Sequence, residues 1–396
     1  MRILVAHVAY RVPGGEERVV EDEARMLRSG GHTVRTLLVP SATFDGLPVG
    51  ERVAIASDAA RHEYGRQAIA EAIAAFRPEV AHFHNLYPLL GVGAMEEAAD
   101  RGVGVVRTLH NYRLSCLAGT HFYRGRACFA CMPRRSARGV LRACYRGSRV
   151  QSWVMAKATR QEMDALTGGT VPHVALCLTP FMRDRLVGFG VPASRLAVHP
   201  TGMEASAGEP CEDRSGAVFA GRLSEEKGIL GLVAAWPDDG PLLTVVGDGP
   251  QRAAAERAAG PRVQFTGRVS AQESVALIGS ARCLVAPSLA LEGLPVAVLE
   301  AFASGTPAIG YDVGAMAGME AGAALTLVSV GDPEALAQAA GALCDADPAS
   351  WRDASAAARA MHAERYSREA SLAGLEAAYA RAIGATRASD GKGALS

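Results

Sequence analysis

The chain of 396 residues lacks long hydrophobic runs and an excess of either charge. No apolar run approaches the ~18 residues that span a bilayer, and Met1–Val8 is too short for a signal peptide and precedes no cleavage site. Lys plus Arg and Asp plus Glu number 41 each, which argues against a nucleic-acid-binding protein. We therefore expect a cytoplasmic enzyme, in which eight cysteines would not form a disulfide framework.

The length predicts two or three domains at roughly 150 residues each. Short apolar runs alternate with helical patterns in two series, which is typical of parallel βαβ units and doubly wound sheets. We predict an N-terminal Rossmann-like domain over 1–205 with a Cys- and Arg-rich insertion over 113–149, a C-terminal Rossmann-like domain over 206–365, a helix over 366–385 that returns to the N-terminal domain, and a disordered tail over 386–396.

The charge is concentrated in residues 101–160, which contain 12 Arg, one Lys and no Asp or Glu. This asymmetry has two explanations. The segment is either a solvated surface balanced by acidic neighbours in the fold, or a face for an anionic partner. Anionic lipid head groups and a phosphorylated acceptor are partners of the second kind.

The strongest local motif is Leu291-Glu292-Gly293-Leu294-Pro295-Val296, which continues to Glu300. It follows the predicted strand Cys283–Ala286, and Pro295 suits the first turn of a helix. A helix that starts at the carboxyl edge of a sheet presents free N–H groups suited to phosphate. Glu292 and Glu300 could each bind two hydroxyls of a sugar, or they could be a surface and a helix residue with no shared role.

Three further motifs end predicted strands at the same edge. Arg222 and Lys227 follow Ala217–Ala220, where two cations suit a diphosphate leaving group, although a lysine at a helix start is commonly just solvated. Gly247 follows the next strand, and Arg268 with Val269 follows the one after it. Glycines in such turns let a planar base approach the backbone.

In this order the motifs resemble those of the retaining glycosyltransferases of family 4, which have the GT-B fold of two Rossmann-like domains facing across a cleft. The resemblance covers most of the chain and is densest from 217 to 310. It implies that Glu292 contacts the donor sugar, that Glu300 holds the ribose, and that Arg222 and Lys227 hold the diphosphate. It further implies that backbone at two places lines the donor site: Gly293, Leu294, Pro295 and Val296 at the sugar and phosphates, and Arg268 and Val269 at the base.

The resemblance also assigns residues of the N-terminal domain. Gly14 and Gly15, in the turn after the first strand, match the family's glycine loop and would approach the phosphates and acceptor. His110 resembles the active-site histidine that contacts the donor sugar, although a lone histidine at a strand end is more often structural. His7, His82 and His84 also lie at strand ends, and one of them could bind the acceptor.

Four cysteines within 29 residues suggest a structural metal. The spacing of Cys116, Cys128, Cys131 and Cys144 contains one Cys-x2-Cys knuckle, and a structural zinc would staple this segment. Reduced cysteines without a ligand, a disulfide and an iron–sulfur cluster are the alternatives. Asp345-Ala346-Asp347 resembles a metal-binding motif of another transferase class, but it lies between a helical pattern and Pro348, so we predict a helix end and no catalytic metal.

The combined prediction is an enzyme that moves a hexose from a nucleoside-diphosphate sugar to an acceptor hydroxyl with retention of configuration. The acceptor would be anionic, lipid-linked or a glycan, or else a natural-product aglycone. The arginine-rich segment would contact the inner face of the membrane peripherally. The alternatives are a nucleotide-sugar epimerase of the same double-Rossmann plan and a sugar-nucleotide-binding protein without turnover.

Overall fold

The protein, represented by a computed structural model, divides into two compact units. The structure describes residues 1–11, 15–58, 61–131, 136–169, 171, 173–203, 213–319 and 321–393. The first unit comprises Met1–His121, Phe129–Thr201 and Ser371–Ser396, and the second comprises Phe122–Cys128 and Gly202–Ala370. The C-terminal segment of the chain therefore completes the first unit.

The first unit is built on a sheet of parallel strands. In chain order, the strands before residue 200 are β1 (Arg2–Ala9), β2 (Thr33–Pro40), β3 (Val80–Phe83), β4 (Gly104–Leu109), β5 (Phe122–Tyr123), β6 (Arg126–Ala127), β7 (His173–Cys177) and β8 (Leu196–Val198). The described sheet has the order β2-β1-β3-β4-β7-β8, and every pair in it is parallel. The short antiparallel hairpin β5–β6 belongs to the second unit.

Helices cover both faces of this sheet. They are α1 (Gly15–Ser29), α2 (Thr43–Gly46), α3 (Val49–Ser57), α4 (Glu63–Phe76), α5 (Gly91–Asp100), α6 (Ala137–Leu141), α7 (Arg149–Gly168) and α8 (Pro180–Gly188). Alternate residues of β1 serve the two faces, as the period of a strand requires. Leu4 packs into a core with α4, α5 and α7, whereas Ile3 packs into a second core with α1 and the C-terminal segment.

The second unit repeats this plan. Its parallel strands are β9 (Ala217–Ala220), β10 (Leu243–Val246), β11 (Val263–Gly267), β12 (Cys283–Ala286), β13 (Ala308–Tyr311) and β14 (Leu325–Val328). Its helices are α9 (Ile229–Ala234), α10 (Arg252–Ala258), α11 (Ala271–Ser280), α12 (Val296–Ser304), α13 (Pro333–Asp345) and α14 (Pro348–Met361), and α15 (Arg368–Gly393) leads back to the first unit. The strand order β11-β10-β9-β12-β13-β14 is that of the Rossmann fold. The predicted pair of doubly wound parallel sheets is therefore confirmed.

Some boundaries differ from the prediction. The helix α15 runs on to Gly393, beyond the predicted end at 385, because no Pro follows residue 385 and the first glycine after it is Gly391, near the observed end. Asp345 ends α13 and Asp347 caps α14 by accepting hydrogen bonds from Ala349 N and Ser350 N, so the predicted helix end is correct. No described helix combines the length and the apolar composition that a transmembrane span requires.

Each sheet has one switch point, where successive connections leave in opposite directions. It lies between β1 and β3 in the first unit and between β9 and β12 in the second. Ligands of open α/β sheets bind outside the carboxyl ends of the strands at such points. The loops that follow these four strands are therefore where each unit is expected to bind its ligand.

Candidate functional site

In the second unit, the loops after β9 and β12 are packed against each other at the switch point. Gly228, in the first loop, has φ 70°, and a Cβ atom there would lie 2.1 Å from the carbonyl oxygen of Pro287 in the second loop. Only glycine allows this approach. Leu289 N also donates to Glu226 O at 2.9 Å. The two loops thus form one edge.

The predicted residues Lys227 and Glu292 meet at this edge. Lys227 Nζ donates to Glu292 Oε2 at 2.8 Å, and the two side chains are 31% and 20% exposed. Burial acts to raise the pKa of Glu292, but the charge and hydrogen bond of Lys227, with a hydrogen bond from Ser288, outweigh it, so this pKa is lowered. Glu292 is therefore ionised at neutral pH. Arg222 is exposed on the same loop as Lys227.

The helix α12 begins one short loop after Glu292, at Val296. Val296 is its first residue and Pro295 its N-cap, while Gly293 and Leu294 form the approach. The first amides of a helix have no acceptor within it and carry partial positive charge. Glu300 lies further along α12 and is buried. The backbone, the cation and the carboxylates predicted for a donor thus lie on adjoining elements of one unit.

The turns after β10 and β11 adjoin the same edge. Gly247 has φ 133°, and a Cβ atom there would lie 1.9 Å from Gly221 O in the loop after β9. Gly247 N also donates to Gly267 O at 3.0 Å. Arg268 is exposed and Val269 is half-buried at the start of the connection to α11. The structure therefore places the loops that carry the predicted donor residues Arg222, Lys227, Gly247, Arg268, Val269 and Glu292 after the carboxyl ends of strands of one sheet.

In the first unit, the loop after β1 leads into two carboxylates. Gly14 lies outside the described residues, and Gly15 is the first residue of α1. Tyr10 Oη donates to Glu16 Oε2 at 3.1 Å and Tyr10 N donates to Glu17 Oε1 at 2.8 Å. Burial raises the pKa of Glu16, and two carboxyl side chains already occupy the first turn of this helix, so the turn is better suited to hydroxyl groups than to a phosphate.

A polar pocket lies at the carboxyl ends of β3 and β4 in this unit. Its lining includes Glu16, Arg107, His110, Arg113 and Glu162. Arg107 Nε donates to Glu162 Oε1 at 3.0 Å. Burial, aided by the Arg107 charge, lowers the pKa of His110 to about 3. The imidazole of His110 is therefore neutral at neutral pH and opens onto a pocket that contains both signs of charge.

The histidines at the other strand ends are buried. His7, His82 and His84 are at most 1% exposed, so they do not present their rings to an acceptor. His82 and His84 lie beside Glu23 of α1, with Nδ1 and Nε2 at 2.9 and 3.3 Å from its Oε1. The sequence analysis missed Glu23. The available signal was helical spacing, because Glu23 falls on the same face of α1 as the buried residues Val20, Ala24 and Leu27.

The four cysteines predicted to bind zinc, Cys116, Cys128, Cys131 and Cys144, are all half-buried in the structure. Within the described residues, the group of three potential ligand atoms that lie within 4.8 Å of one another comprises Glu23, His82 and His84, and no cysteine belongs to such a group. Cys128 is in the segment assigned to the second unit, whereas the predicted ligands assigned to the first unit are Cys116, Cys131 and Cys144. The zinc site stays a prediction.

The arginine-rich segment is partly balanced by acidic residues outside it. Arg101, Arg107 and Arg160 pair with Glu97, Glu162 and Asp164. The arginines on α6 and at the start of α7 differ, because Arg138, Arg142, Arg146 and Arg149 are exposed. Large apolar side chains are exposed beside them: Leu141 (68%), Val150 (72%) and Trp153 (55%). We call these seven residues the α6–α7 surface.

Two family models match the chain. Residues 13–206 match the model for "Glycosyltransferase Family 4", and residues 214–346 match the model for "Glycosyl transferases group 1". No curated protein sequence matches. Together the two models span both units, and the second covers the loops that carry Arg222, Lys227, Glu292 and Glu300.

Solved structures with the same fold are numerous. A sucrose-phosphate synthase from Thermosynechococcus elongatus is 18% identical with a TM-score of 0.67, over 97% of this chain and 100% of that one. A glycosyltransferase from Rickettsia africae is 15% identical with a TM-score of 0.67, over 96% and 99%. HepE from Anabaena, solved in complex with UDP-glucose, is 17% identical with a TM-score of 0.62, over 95% and 99%. At these identities the likeness shows the GT-B fold, while the family models identify the activity class: the chain is a glycosyltransferase and belongs to family 4.

Proposed function

We propose that this glycosyltransferase moves a hexose from a nucleoside-diphosphate sugar to an acceptor hydroxyl with retention of configuration. The observation that carries the proposal is the edge of the second unit where Lys227 meets Glu292 at the start of α12. A cation and a helix N-terminus suit a diphosphate, and an ionised carboxylate suits sugar hydroxyls. HepE, a structural neighbour, binds UDP-glucose, which makes it the first donor to test.

The roles of the donor residues follow from their chemistry. Lys227, Arg222 and the first amides of α12 would stabilise charge on the leaving diphosphate. Glu292 would accept hydrogen bonds from the sugar and Glu300 from the ribose, while the backbone at Gly247, Arg268 and Val269 would meet the base. Fixed cations and helix dipoles suffice for this task, so we propose catalysis without a metal.

Retention is proposed to follow a front-face route. In this route the leaving phosphate itself takes the proton from the acceptor hydroxyl, so no covalent enzyme intermediate forms. Two features support it. The chemistry of the edge lies in cations and amides, which stabilise a leaving anion, and His110 is neutral, which suits a hydrogen bond to a sugar hydroxyl better than proton transfer at neutral pH.

The acceptor is proposed to bind to the first unit. The pocket beside His110 offers Glu16 and Glu162 as acceptors for hydroxyl groups and Arg107 and Arg113 as donors. Such a mixed lining fits a sugar or another polyhydroxylated group that carries an anionic substituent. A glycan or a lipid-linked sugar phosphate fits this lining, as does a natural-product aglycone with several hydroxyls.

The α6–α7 surface is proposed to contact an anionic membrane. Four exposed arginines beside an exposed tryptophan, leucine and valine form the combination by which peripheral proteins bind anionic lipid. The sequence has no acidic residue between 101 and 160 to oppose that charge. Contact at this surface would place the protein at the inner face of the membrane and near a lipid-linked acceptor.

The test of the proposed function is release of nucleoside diphosphate from a panel of donors. Purified protein is incubated with UDP-glucose, UDP-galactose, UDP-N-acetylglucosamine and GDP-mannose, and free nucleoside diphosphate is measured. At least one donor should be consumed, and the rate should rise when a suitable acceptor is added. Conversion of a donor to an epimer without release of nucleoside diphosphate would instead indicate an epimerase, and binding without turnover would indicate a regulator.

A further inference from the structure

A buried chain of polar groups connects α1 to His110 inside the first unit. His84 Nδ1 lies 2.8 Å from His110 Nε2, and the two rings are nearly parallel. The other nitrogen of the same ring, His84 Nε2, lies 3.3 Å from Glu23 Oε1. His84 is 0% and Glu23 7% exposed. The chain Glu23–His84–His110 thus runs from the core to the pocket.

A second histidine anchors the carboxylate. His82 Nδ1 lies 2.9 Å from Glu23 Oε1 and 2.8 Å from Tyr379 Oη of α15. His82 Nε2 lies 2.7 Å from Thr108 Oγ1 of β4. Contacts with three elements therefore hold His82 in place beside Glu23.

Two atoms of this chain have unmet hydrogen-bonding capacity. Neither Glu23 Oε1 nor His84 Nε2 has a well-aligned hydrogen bond to any described residue, although they face each other. Leaving such buried groups unsatisfied costs free energy. The arrangement therefore favours a proton on His84 Nε2 that points at the carboxylate, which needs only a small adjustment of the ring.

The positions of the protons follow from this contact. An ionised carboxylate only accepts hydrogen bonds, so His84 Nε2 must carry a proton. Burial keeps the pKa of His84 well below its ordinary value, so the ring is neutral and its Nδ1 has a lone pair. His110 Nε2 must then donate to that lone pair. Because His110 is also neutral, its Nδ1 has no proton and can only accept.

We infer that Glu23 is a positioning residue that acts through His84 to hold His110 in the Nε2–H form, so that His110 Nδ1 accepts a hydrogen bond from a substrate hydroxyl. The inference rests on the proposed function in one respect, namely that His110 contacts a sugar. Without Glu23, His84 could present either tautomer, and His110 would no longer have one defined acceptor atom.

A metal ion is the competing explanation of the same three groups. Their ligand atoms lie within 4.8 Å of one another. Bonds of about 2.0–2.1 Å in a tetrahedral site separate the ligand atoms by roughly 3.3 Å, whereas Glu23 Oε1 and His82 Nδ1 are 2.9 Å apart, a hydrogen-bond distance. Tyr379 Oη also lies 2.8 Å from the nitrogen that would bind the metal. The geometry favours protons.

The first experiment needs no substrate, and it uses a variant only to assign signals. Protein labelled with ¹⁵N in its histidine rings is studied by two-dimensional NMR, in which the pattern of long-range ¹H–¹⁵N couplings identifies the tautomer of each ring. The His110 signals are assigned by their loss in His110→Asn. The inference predicts the Nε2–H form for both His84 and His110 at neutral pH. The Nδ1–H form of His110 would overturn it, even in a protein that transfers sugar normally.

The second experiment compares Glu23→Gln with Glu96→Gln. Glu96 is a matched control, because it is a partly buried carboxylate of the same unit that pairs with Arg61 and Arg66. Glu23→Gln should mix the tautomers of His110 and lower kcat by about 10- to 100-fold, with a smaller change in donor KM. Glu96→Gln should change neither kcat nor the tautomer.

Two results of this comparison would overturn the inference. One is an unchanged tautomer and kcat in a folded Glu23→Gln protein. The other is about one equivalent of bound zinc in the wild-type protein that Glu23→Gln loses. If Glu23→Gln does not fold, His84→Asn provides the same comparison, and the wild-type NMR pattern still decides. Absence of sugar transfer by the wild-type protein, with the predicted tautomer present, would refute the proposed function and leave the tautomer assignment intact.

Discussion

Replacement of Lys227 by methionine should separate the catalytic role of this lysine from its structural role. Lys227→Met removes the ammonium group and keeps the length of the side chain. The lysine makes one 2.8 Å contact, with Glu292. Because the two side chains are 31% and 20% exposed, solvent screens the pair, and its loss should cost about 0.2–1 kcal/mol of unfolding free energy.

The expected effect on activity is much larger. If Lys227 stabilises charge that develops on the diphosphate, its loss should lower kcat by about 10²- to 10³-fold, the cost of removing one preorganised donor from such a site. The expected loss of stability corresponds to a decrease in Tm of roughly 4 °C or less. Donor affinity should fall less than kcat, because the charge is greatest in the transition state.

The assay combines steady-state release of nucleoside diphosphate with thermal unfolding. Arg257→Met is the matched control, since it removes an exposed cation from α10 of the same unit, and it should leave kcat unchanged. Wild-type kcat in Lys227→Met would refute the assignment of Lys227 to the diphosphate. If the loss of kcat is accompanied by a correspondingly large decrease in Tm, the lysine contributes to activity by stabilising the fold.

Four further predictions test other parts of the account. Folding lowers the pKa of Glu292, so this residue stabilises the fold above the ordinary carboxyl pKa, and that contribution is lost as the pH falls through the lowered pKa. Urea unfolding at a series of pH values measures the free energy of unfolding. This free energy should decrease less on acidification in Lys227→Met than in wild type. Glu300→Gln should weaken nucleotide binding by about 1.5–3 kcal/mol without loss of the fold, as calorimetry would measure. Trp153→Ser should reduce sedimentation of the protein with phosphatidylglycerol vesicles. Val330 is an exposed apolar residue of the second unit, and Val330→Ser should not reduce it. Unchanged sedimentation of Trp153→Ser would refute membrane contact at the α6–α7 surface. The predicted zinc ligands are Cys116, Cys128, Cys131 and Cys144, and elemental analysis should find about one zinc per chain. Replacement of any of them by serine should remove the zinc, whereas Cys177→Ser should keep it. Wild-type protein without metal would refute the site.

The carboxyl edge that we propose as the donor site could be located from sequence because local patterns encode it. Each predicted residue follows a short apolar strand within a few positions, and parallel strands bring their carboxyl ends to the same edge. The motif from Glu292 to Glu300 also includes its own helix start. The sequence does not show that Gly228 packs against Pro287, although a glycine at this position is compatible with such a close contact.

The polar chain in the first unit could not be predicted in this way. Glu23 and His84 are separated by the end of α1 and by β2, α2, α3, α4 and β3, and nothing local connects them. The ion pair between Arg107 of β4 and Glu162 of α7 could not be predicted either, because these residues are also far apart in the sequence. Tyr379 reaches His82 from the far end of the chain. Such contacts depend on tertiary packing, and the sequence shows only that a carboxylate interrupts the apolar face of α1.

The sequence pattern does not identify the strands β7, β8 and β14, for a different reason. They are three to five residues long, and short apolar runs of this length are ambiguous between a strand and part of a helix. Pairing with a neighbouring parallel strand settles the ambiguity in the fold. The helix α6 is as short, and it lies among the arginines, where no apolar period marks it.

The most direct test of the central claim is the anomeric configuration of the sugar that the enzyme first releases. Water can serve as the acceptor, so the measurement does not depend on knowing the natural one. Each nucleoside-diphosphate α-hexose of the donor panel is incubated with the protein, and the free sugar is followed by ¹H NMR before mutarotation proceeds. The account predicts nucleoside diphosphate and the α-anomer as the first products from at least one donor. First appearance of the β-anomer would contradict retention, and an epimerised donor, or no release from any donor, would contradict the proposed transfer itself.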